Sequence, residues 1–267
     1  MNLAKLKSIF SFHYDDRPMP DRAYEAHSKW ARFMMDFYHR VEHHGFVDEA
    51  IDIARKEHVL FICNHAITLE AVLLNYFLLI KGAGKVATMV YREAFRIPLV
   101  REFFRSCQCV PISVDNGAQW LKKRHVLLFP EGMDFINGYI NPDRVPAFHK
   151  GFLRMAKQYL KESGKKSLMI VPIAHVGLEQ ALKLWVIKNK FVMDTLIRPF
   201  IDYPYFVLPK LPFLWPSKVI FYWGLPARIT LRDLSTEKKI SKKMNDFRSA
   251  LLHQKMRARQ ERDTARV

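Results

Sequence analysis

The fold of this chain is legible first in Phe61-Ile62-Cys63-Asn64-His65-Ala66-Ile67-Thr68-Leu69-Glu70. The apolar run from His58 to Cys63 predicts a buried strand, and it stops at Asn64-His65. A helical pattern starts near Thr68 and continues through Ala71, Val72, Leu74, Leu78 and Leu79. His65 is therefore expected where a strand hands over to a helix, the place where α/β proteins carry chemistry. On one continuous helix, positions 65 and 70 would be rotated apart by about 500°. The two side chains meet only if His65 lies in the turn and Glu70 in the first helical turn, with Thr68 as N-cap. A carboxylate beside an imidazole fixes its tautomer and stabilises the imidazolium formed on proton uptake. That is the equipment of a general base acting on a hydroxyl. The helix dipole alone also favours Glu in a first turn, so the pair needs support from elsewhere in the chain.

At 267 residues the chain can bury a full core, as one domain with appendages. Lys and Arg number 43 against 26 Asp and Glu, a net +17, which calls for anionic partners. Twenty Phe, ten Tyr and five Trp accompany that charge and fit an anionic lipid surface better than DNA. A nucleic-acid module would need basic and aromatic residues on one sheet face, whereas these strands are apolar runs, so no nucleic acid is expected. Cys63, Cys107 and Cys109 give neither a disulfide framework nor a zinc spacing and are expected to be reduced core residues. That favours the cytoplasmic face. Met1–Tyr14 lacks the pattern of a signal peptide. Leu69–Ile80, the longest apolar run, is too short to span a bilayer. Membrane contact is expected to be peripheral or monotopic.

Residues 1–44 are read as an arm followed by an amphipathic helix. Trp30, Phe33, Met34, Phe37 and Val41 share one face, and Gly45 ends the helix. From 45 to 230 strands and helices alternate: Val59–Cys63 strand, 69–80 helix, Val86–Tyr91 strand, Glu93–Phe104 broken helix, Val110–Val114 strand, Asn116–Arg124 helix, Val126–Phe129 strand, Ala147–Glu162 helix and Leu168–Ile173 strand. Residues 178–216 read as irregular, and Val219–Trp223 as a last strand. The pattern predicts an α/β fold with a largely parallel sheet flanked by helices. Residues 231–267 predict a basic, solvated C-terminal helix, with Met244, Phe247, Leu251 and Leu252 on one side and Lys255 among the cations spread around it.

Two further anchors follow. Phe129-Pro130-Glu131-Gly132 closes a strand, and a given four-residue string arises by chance on the order of once in 10⁵ positions. Lys150-Gly151 and Val171-Pro172-Ile173 come downstream. In this order and spacing, Asn64-His65-x4-Glu70, the FPEG string, Lys150-Gly151 and the VPI string resemble the glycerolipid acyltransferase family, which includes the lysophosphatidic acid acyltransferases. The resemblance covers roughly residues 45–230.

It implies a membrane-associated O-acyltransferase of phospholipid biosynthesis, moving a fatty acyl group from acyl-CoA or acyl-carrier protein to a glycerolipid hydroxyl. The donor is a co-substrate; no metal or bound cofactor is implied. Carried over, His65 is the base and Glu70 its partner. Asn64, Arg92, Pro130, Glu131, Gly132, Lys150 and Pro172 are the expected substrate-binding residues. Three departures matter. Glu70 stands where the family usually has Asp. The FPEG string is followed by Met133-Asp134-Phe135 instead of Thr-Arg-Ser. The arginine expected near Ser113–Asn116 is missing. Those arginines are thought to grip the acceptor phosphate, a task suited to a planar fork. Either Arg92, Arg96, Arg101 or Lys150 supplies that charge, or the acceptor is a mono- or diacylglycerol without a phosphate. Lysophosphatidate stays the first expectation. A catalytically silent lipid-binding protein of the same fold is the remaining alternative.

Overall fold

The computed structural model describes residues 29, 32, 40–66, 69–96, 101–102, 104–105, 107–132, 145–181, 184–187, 191, 206–209 and 217–264. The expected N-terminal arm and the helical face from Trp30 to Phe37 lie outside these residues. So do Thr68, Met133, Asp134, Phe135, Arg144 and the side chain of Arg96.

The chain runs β1 (Arg40–Gly45), α1 (Val47–Ala54), β2 (Val59–Cys63), α2 (Leu69–Ile80), β3 (Val86–Val90), a 3-10 turn at Arg92–Arg96, β4 (Cys109–Pro111), α3 (Val114–Lys123), β5 (His125–Leu128), α4 (Gly151–Ser163), β6 (Ser167–Val176), α5 (Leu178–Ala181), β7 (Leu184–Ile187), β8 (Phe206–Pro209), β9 (Lys218–Trp223), β10 (Ala227–Thr230) and α6 (Glu237–Thr264). The main sheet has the order β1-β9-β6-β2-β5-β3-β4, with β10 also paired to β6. β6, β2, β5, β3 and β4 are mutually parallel. β9 and β10 run antiparallel to β6, and β1 lies parallel to β9 at the edge. This is the mostly parallel α/β sheet flanked by helices that the strand-helix alternation predicts.

β2 reads Val-Leu-Phe-Ile-Cys because both sheet faces are covered. Val59, Phe61 and Cys63 pack toward α1 and α2. Leu60 and Ile62 pack toward α3, α4 and α6. Pro172 sits inside β6 without cost to the ladder. Residues 167–170 pair with β10 and residues 173–176 with β9, so the missing proline N–H falls in the gap between these two partners. The Pro172 carbonyl accepts the Gly224 N–H at 2.8 Å in that gap.

Several boundaries differ from the sequence reading. Val41 and Gly45 belong to strand β1, not to a helix, and the division at 44/45 falls inside that strand. Gly45 has φ +84, and a Cβ there would stand 2.2 Å from the Trp223 carbonyl oxygen, so its role is close backbone approach. Val114 opens α3, because the Ser113 hydroxyl accepts the Asn116 N–H and caps that helix. α4 begins at Gly151, four residues after Ala147. β6 continues past Ile173 through His175 to Val176. Residues 184–187 and 206–209, read as irregular, pair as a two-stranded antiparallel ladder. The C-terminal helix starts at Glu237 rather than Leu231 and packs on the sheet, with Phe247, Leu251 and Ala258 buried. Lys255, expected in solvent, is buried with them. No helix among the described residues is long and apolar enough to cross a membrane.

Candidate active site

The central strand β2 ends between its neighbours β5 and β6, so the residues following these three strands converge. Asn64 locks β2 to β6. Its Oδ1 accepts the His175 N–H at 2.7 Å, and its Nδ2 donates to the His175 carbonyl at 3.2 Å. The His175 Nε2–H donates to the Asn64 carbonyl at 2.9 Å. All of this is buried. Burial lowers the His175 pKa against the pull of Glu70 and Glu179. Its Nδ1 has no hydrogen-bond partner among the described residues.

With Asn64 clamped, the next residue turns onto the α2 side of the sheet. His65 Nδ1 bonds Glu70 Oε1, and the Ala66 N–H donates to the same oxygen at 3.0 Å. Glu70 lies in the first turn of α2 and is fully buried. Burial alone would push its carboxyl up. The charge and hydrogen bond of His65, then His175 and the Ala66 N–H, outweigh this and hold it at about 2. An ionised carboxylate only accepts, so His65 Nδ1 must donate. The lone pair of the neutral ring is then on Nε2. The Phe129 ring stacks on the imidazole, centroids 4.5 Å apart at 25°, holding the plane of the ring.

Phe129-Pro130-Glu131-Gly132 forms a tight turn after β5. The Gly132 N–H donates to the Phe129 carbonyl and the His149 N–H to the Pro130 carbonyl. Gly132 has φ +55, and a Cβ there would press on the His149 ring at 2.9 Å. Glu131 is buried beneath the His65 turn, with Oε2 facing the His65 N–H at 3.5 Å. Its Oε1 has no hydrogen-bond partner among the described residues. Burial pushes its carboxyl up to about 7, opposed by Lys255 and His65.

Asn64, His65, Glu70, Pro130, Glu131 and Gly132 therefore come together. Pro172 lies one β6 residue before the partner of Cys63, buried in the sheet. Two other expected residues lie on other elements. Lys150, at the start of α4, pairs with Glu237 at 3.6 Å. Arg92 is exposed in the 3-10 turn after β3. Phe129, His175 and Lys255 are contributors the sequence reading did not single out. Phe129 opens the FPEG string itself. His175 continues the alternation of β6 on the face of Val171 and Ile173. Lys255 belongs to the recurring series Phe247, Leu251, Gln254, Lys255, Ala258, Arg262, whose spacing marks one helix face.

A carboxylate-held histidine thus stands at the end of the central strand of a mostly parallel α/β sheet, with one ring nitrogen left to accept a proton. Residues 46–176 match the family model described as Acyltransferase, which supports an acyltransferase-family domain over that span and acyl transfer in general. No curated protein and no solved structure gives a significant match.

Proposed function

We propose that the protein transfers a fatty acyl group from a thioester donor, acyl-CoA or acyl-carrier protein, to a hydroxyl of a lysophospholipid or acylglycerol, with lysophosphatidate the first candidate. The observation that carries this reading is the clasp of Glu70 on His65 Nδ1, which sets Nε2 as the proton acceptor. His65 Nε2 takes the acceptor's hydroxyl proton as that oxygen attacks the thioester carbonyl. Glu70 stabilises the imidazolium. Collapse of the tetrahedral intermediate breaks the C–S bond, and the thiolate takes the proton from Nε2. The products are an ester and a free thiol, and His65 returns to its starting state. Holding both substrates in line supplies a further share of the rate, worth about 7–11 kcal/mol in well-oriented reactions. Glu131 Oε1, without a hydrogen-bond partner among the described residues, can accept a hydrogen bond from the acceptor head group.

Association with an anionic membrane surface at the cytoplasmic face belongs to the same proposal. The net +17 supports it. So do the exposed Lys238, Lys239, Lys242 and Arg257 of α6, and Trp185 and Phe191, 59% and 75% exposed, in the segment after β6. The test is product formation by purified protein from radiolabelled acyl-CoA and acyl-carrier protein, across lysophosphatidate, other lysophospholipids, monoacylglycerol and diacylglycerol. Ester product with one acceptor class identifies the substrate. No ester with any acceptor, from folded protein that still binds lipid, would replace the enzyme with a lipid-binding protein.

A further inference from the structure

The parallel ladder of β2 on β6 ends at the pair Cys63–Ile173. One residue further along β2, Asn64 and His175 trade side chain for backbone in both directions. The Asn64 amide accepts the His175 N–H at 2.7 Å and donates to the His175 carbonyl at 3.2 Å. The His175 ring returns the exchange through Nε2, 2.9 Å from the Asn64 carbonyl oxygen. A carbonyl only accepts, so this nitrogen carries a proton. The first two bonds use the backbone of residue 175 and would form with any side chain there except proline. The third depends on the ring alone.

That third bond falls on the peptide unit that leads into His65. The Asn64 carbonyl and the His65 N–H belong to one planar trans group and point in opposite directions. His175 holds the oxygen end, and the nitrogen end faces Glu131 Oε2 at 3.5 Å. A separation of 3.5 Å is long for an N–H donor, so the His175 bond is the stronger hold on this plane. The plane sets the direction in which the His65 side chain leaves the backbone, and that direction brings Nδ1 to Glu70 Oε1. His175 is itself immobilised. It is 1% exposed, and its ring lies against Phe221 with centroids 5.6 Å apart. Buried on the face of β6 that carries Val171 and Ile173, it acts on the site only through the peptide it holds.

We propose that His175 is a positioning residue of the acyl transfer, holding the Asn64–His65 peptide plane so that the His65 ring stays seated on Glu70. This rests on the acyl-transfer reading above.

The experiment compares wild type, His175→Phe and His175→Gln, each shown folded by circular dichroism. Phe keeps an aromatic ring beside Phe221 and has no donor. Gln supplies an amide N–H near the place of Nε2. It lacks Nδ1, which has no hydrogen-bond partner among the described residues. A displacement of about 1 Å at a reacting group costs on the order of 10²-fold in rate. His175→Phe should therefore lower kcat about 10- to 100-fold and change the acceptor KM less than about threefold, the split expected when ground-state binding is untouched. His175→Gln should recover kcat to within about threefold of wild type. A side chain that served the fold alone would change the urea midpoint and leave kcat of the folded protein as it was. Independently of turnover, the His65 Nδ1 proton resonance, assigned by its loss in His65→Ala, should move upfield in His175→Phe and return in His175→Gln. His175→Leu replaces the Phe variant if that variant does not fold, and the resonance in the variant without a donor decides alone if the Gln variant does not fold. Full kcat in a folded variant without a donor, equal losses in folded Phe and Gln variants, or an unmoved His65 resonance overturns the proposal. A moved resonance in a protein that forms no ester with any acceptor refutes the assigned reaction and leaves the positioning of His65 by His175 standing.

Discussion

Glu131→Gln should make the protein more stable, and only above the pH where the wild-type carboxyl would ionise if unfolded. In the fold its pKa lies at about 7 because burial penalises the charged form; its ordinary value is 4.5. Below pH 4.5 both states are protonated and Glu131 has no effect on the pH dependence. Between 4.5 and about 7 the unfolded chain ionises while the native carboxyl keeps its proton, so stability falls as pH rises. Each pH unit costs about 1.4 kcal/mol, so the loss across this window is roughly 3 kcal/mol and is complete above pH 7. Gln has nearly the same shape and no charge. The gap between the variant and wild type should therefore open by roughly 3 kcal/mol from pH 4.5 to pH 8, in favour of Gln. Urea unfolding of both proteins at pH 4.5, 6, 7 and 8 measures it. Two stability curves that stay parallel within about 0.5 kcal/mol, a surface-substitution effect, would refute the assignment of a destabilised carboxylate at this position. A buried carboxyl kept at such a cost fits a stability–function trade.

Glu70→Gln should keep the His65 orientation but lose the charge that stabilises imidazolium, lowering kcat by roughly 10²–10⁴ with a smaller change in KM. The same variant should lose the acid-side stability change of wild type, where Glu70 contributes above pH 4.5 and that contribution disappears as pH falls toward about 2. Asn64→Ala strips the partners from the buried His175 N–H and carbonyl and should destabilise by about 2–4 kcal/mol in denaturant. Binding to anionic vesicles should exceed binding to neutral ones in a sedimentation assay and weaken with salt, since exposed charges are screened within about 10 Å at 0.1 M.

The parallel core was legible because its strands, covered on both faces, are unbroken apolar runs, and Val59–Cys63 and Leu69–Ile80 stand where their patterns place them. The edges were not. Arg40–Gly45, Arg-Val-Glu-His-His-Gly, carries no apolar run, and it is a strand only because β9 offers it a ladder. Phe37 and Val41 kept a helical spacing that ran on into that segment, and pairing overrode it at Val41. Ala227–Thr230 is likewise held by β6 rather than by its own pattern. At the site, the spacing of His65 and Glu70 was readable because five residues across a turn admit one useful geometry. The contributions of His175 and Lys255 depend on β2–β6 register and on α6 crossing the sheet, and neither is encoded locally. Lys255 looked like one solvated cation among many, because the helix face that buries it also includes Gln254 and Arg262.

We propose His65 as the base of the acyl transfer. Its most direct test is the turnover of purified His65→Ala, shown folded by circular dichroism and a cooperative melt, with acyl-CoA and the acceptor that wild type prefers. The structure predicts ester formation at least about 10³-fold below wild type, since loss of a triad-like member removes the proton acceptor and leaves only binding. His65 is only partly buried, with its side chain 14% exposed, so the fold should survive its removal. Turnover by the folded variant within about threefold of wild type, a difference of well under 1 kcal/mol in the barrier, would show that His65 is not the base.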